Sequence, residues 1–354
     1  MLLWDSVSGS KILSMSKVGI RHILSALIGL AIAAFFIWGH KSAPQMSYYH
    51  NQGKVFGTYY NIRYEAERDM QDSIQAAFKA FDNSLSMFNP HSLLSAINAN
   101  RDTLTNAYFE TMWAEATRVH ALSNGAFDIT VAPLVNYWGF GNKGQKDNGQ
   151  QAQDVQAIDS LRQFVGFEKV QLIGHKVVKT DPRVQIDGGA VAKGQACDMI
   201  AGVLRRNGSE NYLVDIGGEV VAHGVNAKGE KWHIGITKPN LNNEGAQEEL
   251  QEIIAVSDIA MATSGNYRNY YYADGERRSH TIDPRTGYPV QHSLLSATVV
   301  SSSCMRADAM ATACMVLGAE EALAMIERAG DAACYLIIAK NDSLAVVQSP
   351  NWHY

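Results

Sequence analysis

Apolar and polar positions along the chain follow two rhythms. Over 55–64, β-branched and aromatic residues recur with partial alternation and predict a strand; over 70–85, apolar residues return at helical spacing. Asn89-Pro90-His91-Ser92 then breaks the chain, 108–123 reads as a second helix, and Asn124-Gly125 closes it. Asn142 to Gln156 is largely polar and reads as a surface loop or insertion. Beyond it the pattern predicts strands at 170–173, 177–179, 184–186, 212–216, 232–237, 253–257, 295–301 and 333–339, with helices at 192–206, 306–317 and 320–329. Hairpin turns are expected at Gly174-His175 and Ala273-Asp274-Gly275. Strands and helices interspersed in this way predict an α+β class with mixed sheets and packed helices, not a regular βαβ array. No internal repeat is visible.

The N-terminus adds a membrane expectation. Lys11, Lys17, Arg21 and His22 precede an uncharged apolar run from Ile23 to Gly39. Roughly 17 residues is near the lower limit for spanning ~30 Å of hydrocarbon and is long enough for a signal sequence. Basic residues ahead of the run predict an N-in orientation, with everything after Lys41 outside the cytoplasm. Ser42-Ala43-Pro44 is a poor cleavage site, so an uncleaved anchor is preferred, and Met15 is an alternative start. The expected organisation is a basic cytoplasmic segment 1–22, an anchor or signal sequence 23–39, a linker 40–52 and one catalytic domain 53–354.

Composition narrows the rest. A chain of 354 residues with 46% hydrophobic content can bury a large core. A net charge of −5 with mixed signs lacks the basic stripe that nucleic acid demands, so no nucleic-acid partner is expected. Cys197, Cys304, Cys314 and Cys334 have neither CxxC spacing nor disulfide-scaffold density and read as small buried residues.

Four stretches could carry chemistry. Asp308 and Thr312 stand four apart on one face of the 306–317 helix and offer two hard oxygens, as Mg²⁺ prefers; helix-dipole and back-bonding roles explain the pair equally well. Asp187-Gly-Gly-Ala190-Val-Ala-Lys193-Gly194 reads as a strand end, a glycine turn and a helix start, able to present amides and Lys193 to an anion, or merely to pack. His280-Thr-Ile-Asp283-Pro-Arg-Thr-Gly-Tyr-Pro289 is a rigid loop in which His280 could act as a base and Asp283 could orient it or assist a metal. Gly125 to Gly139 clusters an acid with aromatics that could stack on a heterocycle or fill a core. The literal GxGxxG from Gly139 to Gly144 lacks a strand-turn-helix context and is set aside.

Taken in order, Gly57-Thr58, Asn89-Pro90 with Ser92 and Asn98, GAFDITVAPLVNYWGFG, DGGAVAKG, LVDIGGEV, ATSGNYR, HTIDPRTGYPV and ADAMATACMVLG make the chain resemble the FAD:protein FMN transferase (ApbE) family over roughly 55–347. That resemblance implies an ApbE-type, T-fold-like flavin transferase fold. It implies Mg²⁺ bound by Asp308, Thr312 and the Ala190 carbonyl, and FAD, as substrate, held by Phe56, Phe88, Ala126, Phe127, Asp128, Asp187, Lys193 and Ile282. His280 matches the family's catalytic histidine, with His280 or Asp283 taking the proton of an acceptor Ser or Thr as FMN is transferred and AMP leaves. Implied acceptors are flavoprotein subunits of membrane redox pumps or related electron-transfer proteins, and the implied site of action is the periplasmic side of a bacterial inner membrane. Two departures stand out: Phe56 replaces a common methionine, and no lipid-anchored cysteine is present. An FAD pyrophosphatase and a non-catalytic FAD carrier are the alternatives.

Overall fold

The computed structural model describes residues 22, 25–30, 45–141, 155–240, 249–267, 270–273, 276–341 and 343–354. Two compact units divide the chain at Met46, Met1–Met46 and Ser47–Tyr354. Most of the 23–39 run, the basic residues Lys11, Lys17 and Arg21, the alternative start Met15, the 142–154 part of the polar stretch, Gly144, Arg268 and the Asp274-Gly275 turn lie outside the described residues. Among the described residues no helix is long and apolar enough to cross a membrane.

The larger unit is built on an eight-stranded sheet. Its strands, in spatial order, are β1 (Ser47–Val55), β2 (Thr58–Ala66), β5 (Tyr212–Ile216), β6 (Glu219–His223), β9 (Ile259–Gly265), β12 (Leu294–Ser301), β13 (Ala333–Lys340) and β14 (Ser343–Gln348). Every neighbouring pair is antiparallel, so the sheet is not mixed in the sense of combining parallel and antiparallel strands. Three two-stranded ribbons complete the β structure: β3 (Val170–Ile173) with β4 (Lys176–Lys179), β7 (Trp232–Thr237) with β8 (Leu250–Val256), and β10 (Tyr270–Ala273) with β11 (Glu276–Ser279).

Both faces of the sheet are covered. Ala260, Ala262, Ala297 and Val299 belong to the core shared with the helices, whereas Ile259, Met261 and Val300 face a second cluster built with Trp232, Ile234 and Ile254 of the β7–β8 ribbon. This two-sided burial explains why β12 is buried at all eight positions and reads as a continuous apolar run. Helix Cys304–Leu317 lies on β9 and β12, and helix Ala192–Arg206 lies on β5 and β6 beside it. Helices Gln71–Leu85 and Ala107–Leu122 form an outer layer against those two. The small side chains of Cys304–Leu317, almost all buried, let it sit between sheet and outer helices.

Two predicted strands differ in the structure. The 55–64 stretch straddles a hairpin: Val55 pairs with Thr58, and Phe56 (φ 50°) and Gly57 (φ 77°) form the tight turn, so β1 begins at Ser47, inside the stretch read as linker. Residues 184–186 form no strand. Their backbone partner is a side chain, for Asn98 donates to the Ile186 carbonyl and accepts the Ile186 N–H, both at 2.8 Å. The expected turn at Gly174-His175 is present, with Ile173 opposite Lys176.

Candidate active site

The glycine-rich segment 187–194 runs from an open cleft to a buried charge cluster. At its start, Asp187 lines a cleft of about 520 Å³ together with Met87, Phe88, Asn98, Phe140 and Ile186. The Asp187 N–H bonds the Ile129 carbonyl at 2.6 Å, and its Oδ1 accepts the Gly189 N–H at 2.7 Å. Burial pushes the Asp187 carboxyl above its ordinary range against the pull of that N–H. Phe88 is 73% exposed at the cleft rim, a surface an apolar ring occupies at a cost unless something covers it.

At the other end of the segment, the chain enters helix Ala192–Arg206. The N–H of Gly194 donates to Asp308 Oδ2 at 3.0 Å, across to the neighbouring helix. That approach requires glycine, because a Cβ at position 194 would stand 2.3 Å from the Cys304 carbonyl oxygen. The start of the second helix is fixed by the same neighbour: Asp198 accepts the N–H groups of Cys304 and Met305, both at 2.9 Å, and Ser303 caps Arg306. Helix register thus positions Asp308 and Thr312 toward the sheet, where the Thr312 hydroxyl meets Ser264 at 3.3 Å.

Lys193 joins this cluster with a residue whose role the sequence reading left unassigned. Its Nζ bonds Glu219 Oε1 at 2.5 Å and lies 4.0 Å from Asp308 Oδ1. Glu219 is delivered by the Gly217-Gly218 turn (φ 69° and 101°), which closes β5 onto β6 with Ile216 opposite Glu219. An acid at the start of the apolar run Val220-Val-Ala222 was the available signal, since a carboxylate in a buried strand needs a cation. Burial pushes Glu219 up to about 7, opposed by Lys193. Burial also raises Asp308, opposed by Lys193 and the Gly194 N–H. Burial opposes the charge on Lys193, but Asp308 and Glu219 outweigh it and hold the ammonium's pKa above its ordinary value.

The donor set suits a hard divalent cation. Two buried carboxylates flank one ammonium, and Glu219 Oε2 is buried with no hydrogen-bond partner among the described residues. Asp308 and Thr312 supply hard oxygens, and Ala190 lies in the turn directly ahead of Lys193. Among the described residues no group of three His, Cys, Asp or Glu side chains could hold a metal, so a cation here would need backbone or ligand oxygens as well.

Three of the remaining candidates, His280, Ile282 and Asp283, lie in loop 280–290, which is tied to its surroundings by named bonds. Trp138 donates its indole N–H to the Gly287 carbonyl at 2.8 Å, and Thr281 donates to Asn266 at 2.5 Å, two residues beyond Ser264. Ile282 pairs with Pro289 and is buried with Leu134, Trp138 and Ile158. His280, half-buried, sets its ring edge-on to Phe140 of the cleft, centroids 6.2 Å apart. Asp283 is engaged within its own loop: it accepts the Arg285 N–H at 2.9 Å and forms an ion pair with the Arg285 guanidinium at 2.9 Å. Asp128 is buried and accepts both the N–H and hydroxyl of Thr130, with His120 at 3.8 Å; burial pushes its carboxyl up against those bonds. Ala126 and Phe127 are buried beside it. Phe56 packs on Phe78 and Phe81, at 5.6 and 5.4 Å between centroids.

The sequence model of the ApbE family matches residues 56–336. The chain belongs to the ApbE family. Family relatives include the FAD:protein FMN transferase of Vibrio cholerae, 37% identical over 316 residues that cover 85% of this chain and 90% of that protein. The protein of the same name from Haemophilus influenzae is 33% identical, covering 93% and 96%. Among solved family structures, flavin transferase ApbE from Vibrio cholerae aligns with a TM-score of 0.78 at 34% identity, over 87% of this chain and 99% of that one. The apo flavinyl transferase ApbE of Pseudomonas stutzeri aligns at 0.76 and 30%, over 86% and 96%.

Proposed function

We propose that this enzyme is a magnesium-dependent FAD:protein FMN transferase, which attaches FMN through a phosphoester bond to a Ser or Thr of a flavoprotein and releases AMP. The observation that carries the reading is the 187–194 segment, whose first residue lines a heterocycle-sized cleft and whose last residues join a cluster with two buried acids, Glu219 and Asp308. A dinucleotide has that polarity: a flat ring at one end and a diphosphate that needs cations next to it. Relatives bearing the transferase name match most of the chain.

In this reading Asp308, Thr312 and the Ala190 carbonyl hold Mg²⁺, which when bound neutralises charge on the diphosphate oxygens. Lys193 adds a second positive charge at the same place. Phe56, Phe88, Ala126, Phe127, Asp128, Asp187 and Ile282 surround the rest of FAD. The acceptor hydroxyl attacks the phosphorus of the FMN half, the P–O bond to AMP breaks, and His280 takes the hydroxyl proton. Asp283, bound to Arg285, keeps the His280 loop in shape. The proposal includes an N-terminal anchor in a bacterial inner membrane with the catalytic domain on the periplasmic side, supported by basic residues ahead of an apolar run. Acceptors would then be flavoprotein subunits of membrane redox pumps or related electron carriers.

Mass spectrometry of an acceptor incubated with enzyme, FAD and Mg²⁺ tests the reading. Addition of FMN to a Ser or Thr is the expected result. AMP release with an unmodified acceptor would instead indicate a pyrophosphatase, and intact FAD a carrier.

A further inference from the structure

The Lys193 ammonium stands between two buried carboxylates and bonds one of them. Its Nζ is 2.5 Å from Glu219 and 4.0 Å from Asp308. A charge-assisted N–H···O bond closes at about 2.7–2.9 Å, so Lys193, although within ion-pair range of Asp308 at 4.0 Å, stops roughly an ångström short of a hydrogen bond with it. Asp308 would welcome that bond: it is 2% exposed, and a single backbone N–H, from Gly194, binds its other oxygen. Lysine has a flexible stem and could close the gap by rotation. Glu219 has no such freedom, because it sits 2% exposed on a paired strand, one residue beyond a two-glycine turn.

We infer that Glu219 is a positioning residue that restrains Lys193: by bonding the ammonium, it keeps Lys193 off Asp308 and leaves Asp308 Oδ1 open to a divalent cation. The inference rests on the metal site proposed above. Neither Asp308 nor Lys193 can serve a diphosphate if the two neutralise each other, so the pairing of lysine with a different acid keeps both available. The restraint differs from a plain contribution of negative charge. Charge at position 219 would survive shortening of the side chain, whereas the bond to Nζ would not.

That difference sets the experiment. Mn²⁺ binding to the full-length protein, without FAD, is followed by loss of the free-ion electron paramagnetic resonance signal in wild type, E219D and E219D/K193M. Aspartate keeps the charge but draws the carboxylate back by one methylene. The Mn²⁺ dissociation constant is expected to rise ~tenfold in E219D, at the lower end of losses for groups that orient metal ligands, and to return to within ~threefold of wild type in E219D/K193M, where no ammonium competes. Wild-type affinity in E219D overturns the restraint. So does equal weakening in both variants, which would make Glu219 a direct partner of the metal. A wild type that binds no Mn²⁺ overturns the metal site itself, and the restraint with it. Thermal unfolding monitors folding of each variant; should E219D not fold, E219A, which removes the acceptor outright, is compared with E219A/K193M, and unchanged affinity in E219A or equal weakening in both overturns the inference.

Discussion

Gly194 and Asp308 meet across two helices, the glycine N–H donating to the carboxylate at 3.0 Å while its Cα lies against the Cys304 backbone. Glycine is needed there for space, not for a left-handed conformation. A methyl group at 194 must push the helices apart, because its clash is with backbone and no side chain can yield. G194A is expected to destabilise the domain by about 1–3 kcal/mol, the range for overpacking a core, and to abolish flavin transfer. Urea unfolding alongside a transfer assay checks this. A variant as stable and active as wild type would contradict the close approach.

Trp138 holds loop 280–290 through one buried bond to the Gly287 carbonyl. W138F keeps most of the ring's packing and removes the donor, leaving that carbonyl unpaired at a cost of about 1–3 kcal/mol. The loop should open more often, so hydrogen–deuterium exchange of the 280–290 peptide should accelerate and kcat should fall more than the KM for FAD rises. Unchanged exchange would mean that the loop is held by its other bonds, including Asp283 with Arg285.

Lys179 gives the stability a pH dependence of defined sign. Burial lowers its pKa from 10.5 to about 8, although its ammonium bonds the Ile97 carbonyl at 2.8 Å. The folded state therefore releases this proton near pH 8, while the unfolded chain keeps it until about 10.5. The unfolded state binds more protons in that window, so the lysine's penalty fades and stability rises with pH across it. Denaturant midpoints of wild type and K179M at several pH values between 7 and 10 check the sign: the wild type should gain on the variant as pH rises. A constant difference would contradict the depressed pKa.

Much of the scaffold was legible because its patterns are local. Helix Ala192–Arg206 and strands Tyr212–Ile216 and Trp232–Thr237 appear with the expected bounds, each carrying its own periodicity. Ile259–Gly265 and Ser343–Gln348 were not read as strands. The first is made mainly of small residues that suit its place under helix Cys304–Leu317, and the second is a half-exposed edge with weak alternation. Residues 184–186 alternate like a strand, yet their partner is the Asn98 side chain, a long-range bond with no sequence pattern. The 55–64 reading missed its turn because Phe56 occupies a backbone conformation that bulky residues rarely adopt.

The candidate site was legible as a set of segments, and its connections were not. Asp308, Thr312 and Lys193 could each be named from spacing, but only the fold brings Lys193 to Glu219 and the Gly194 N–H to Asp308. Asp283 shows the converse. Its spacing suggested service to His280 or a metal, and its described bonds are to Arg285 within the loop.

The most direct test of the account is covalent flavin transfer by D308N, measured as protein-bound flavin fluorescence on a denaturing gel across a Mg²⁺ titration. Asparagine preserves the size of the side chain and removes its charge, the only anionic metal ligand in the proposed set. The account expects bound flavin to be lost at Mg²⁺ concentrations that saturate the wild type, with the fold retained. Wild-type transfer with an unchanged Mg²⁺ dependence would contradict the placement of the metal beside Asp308.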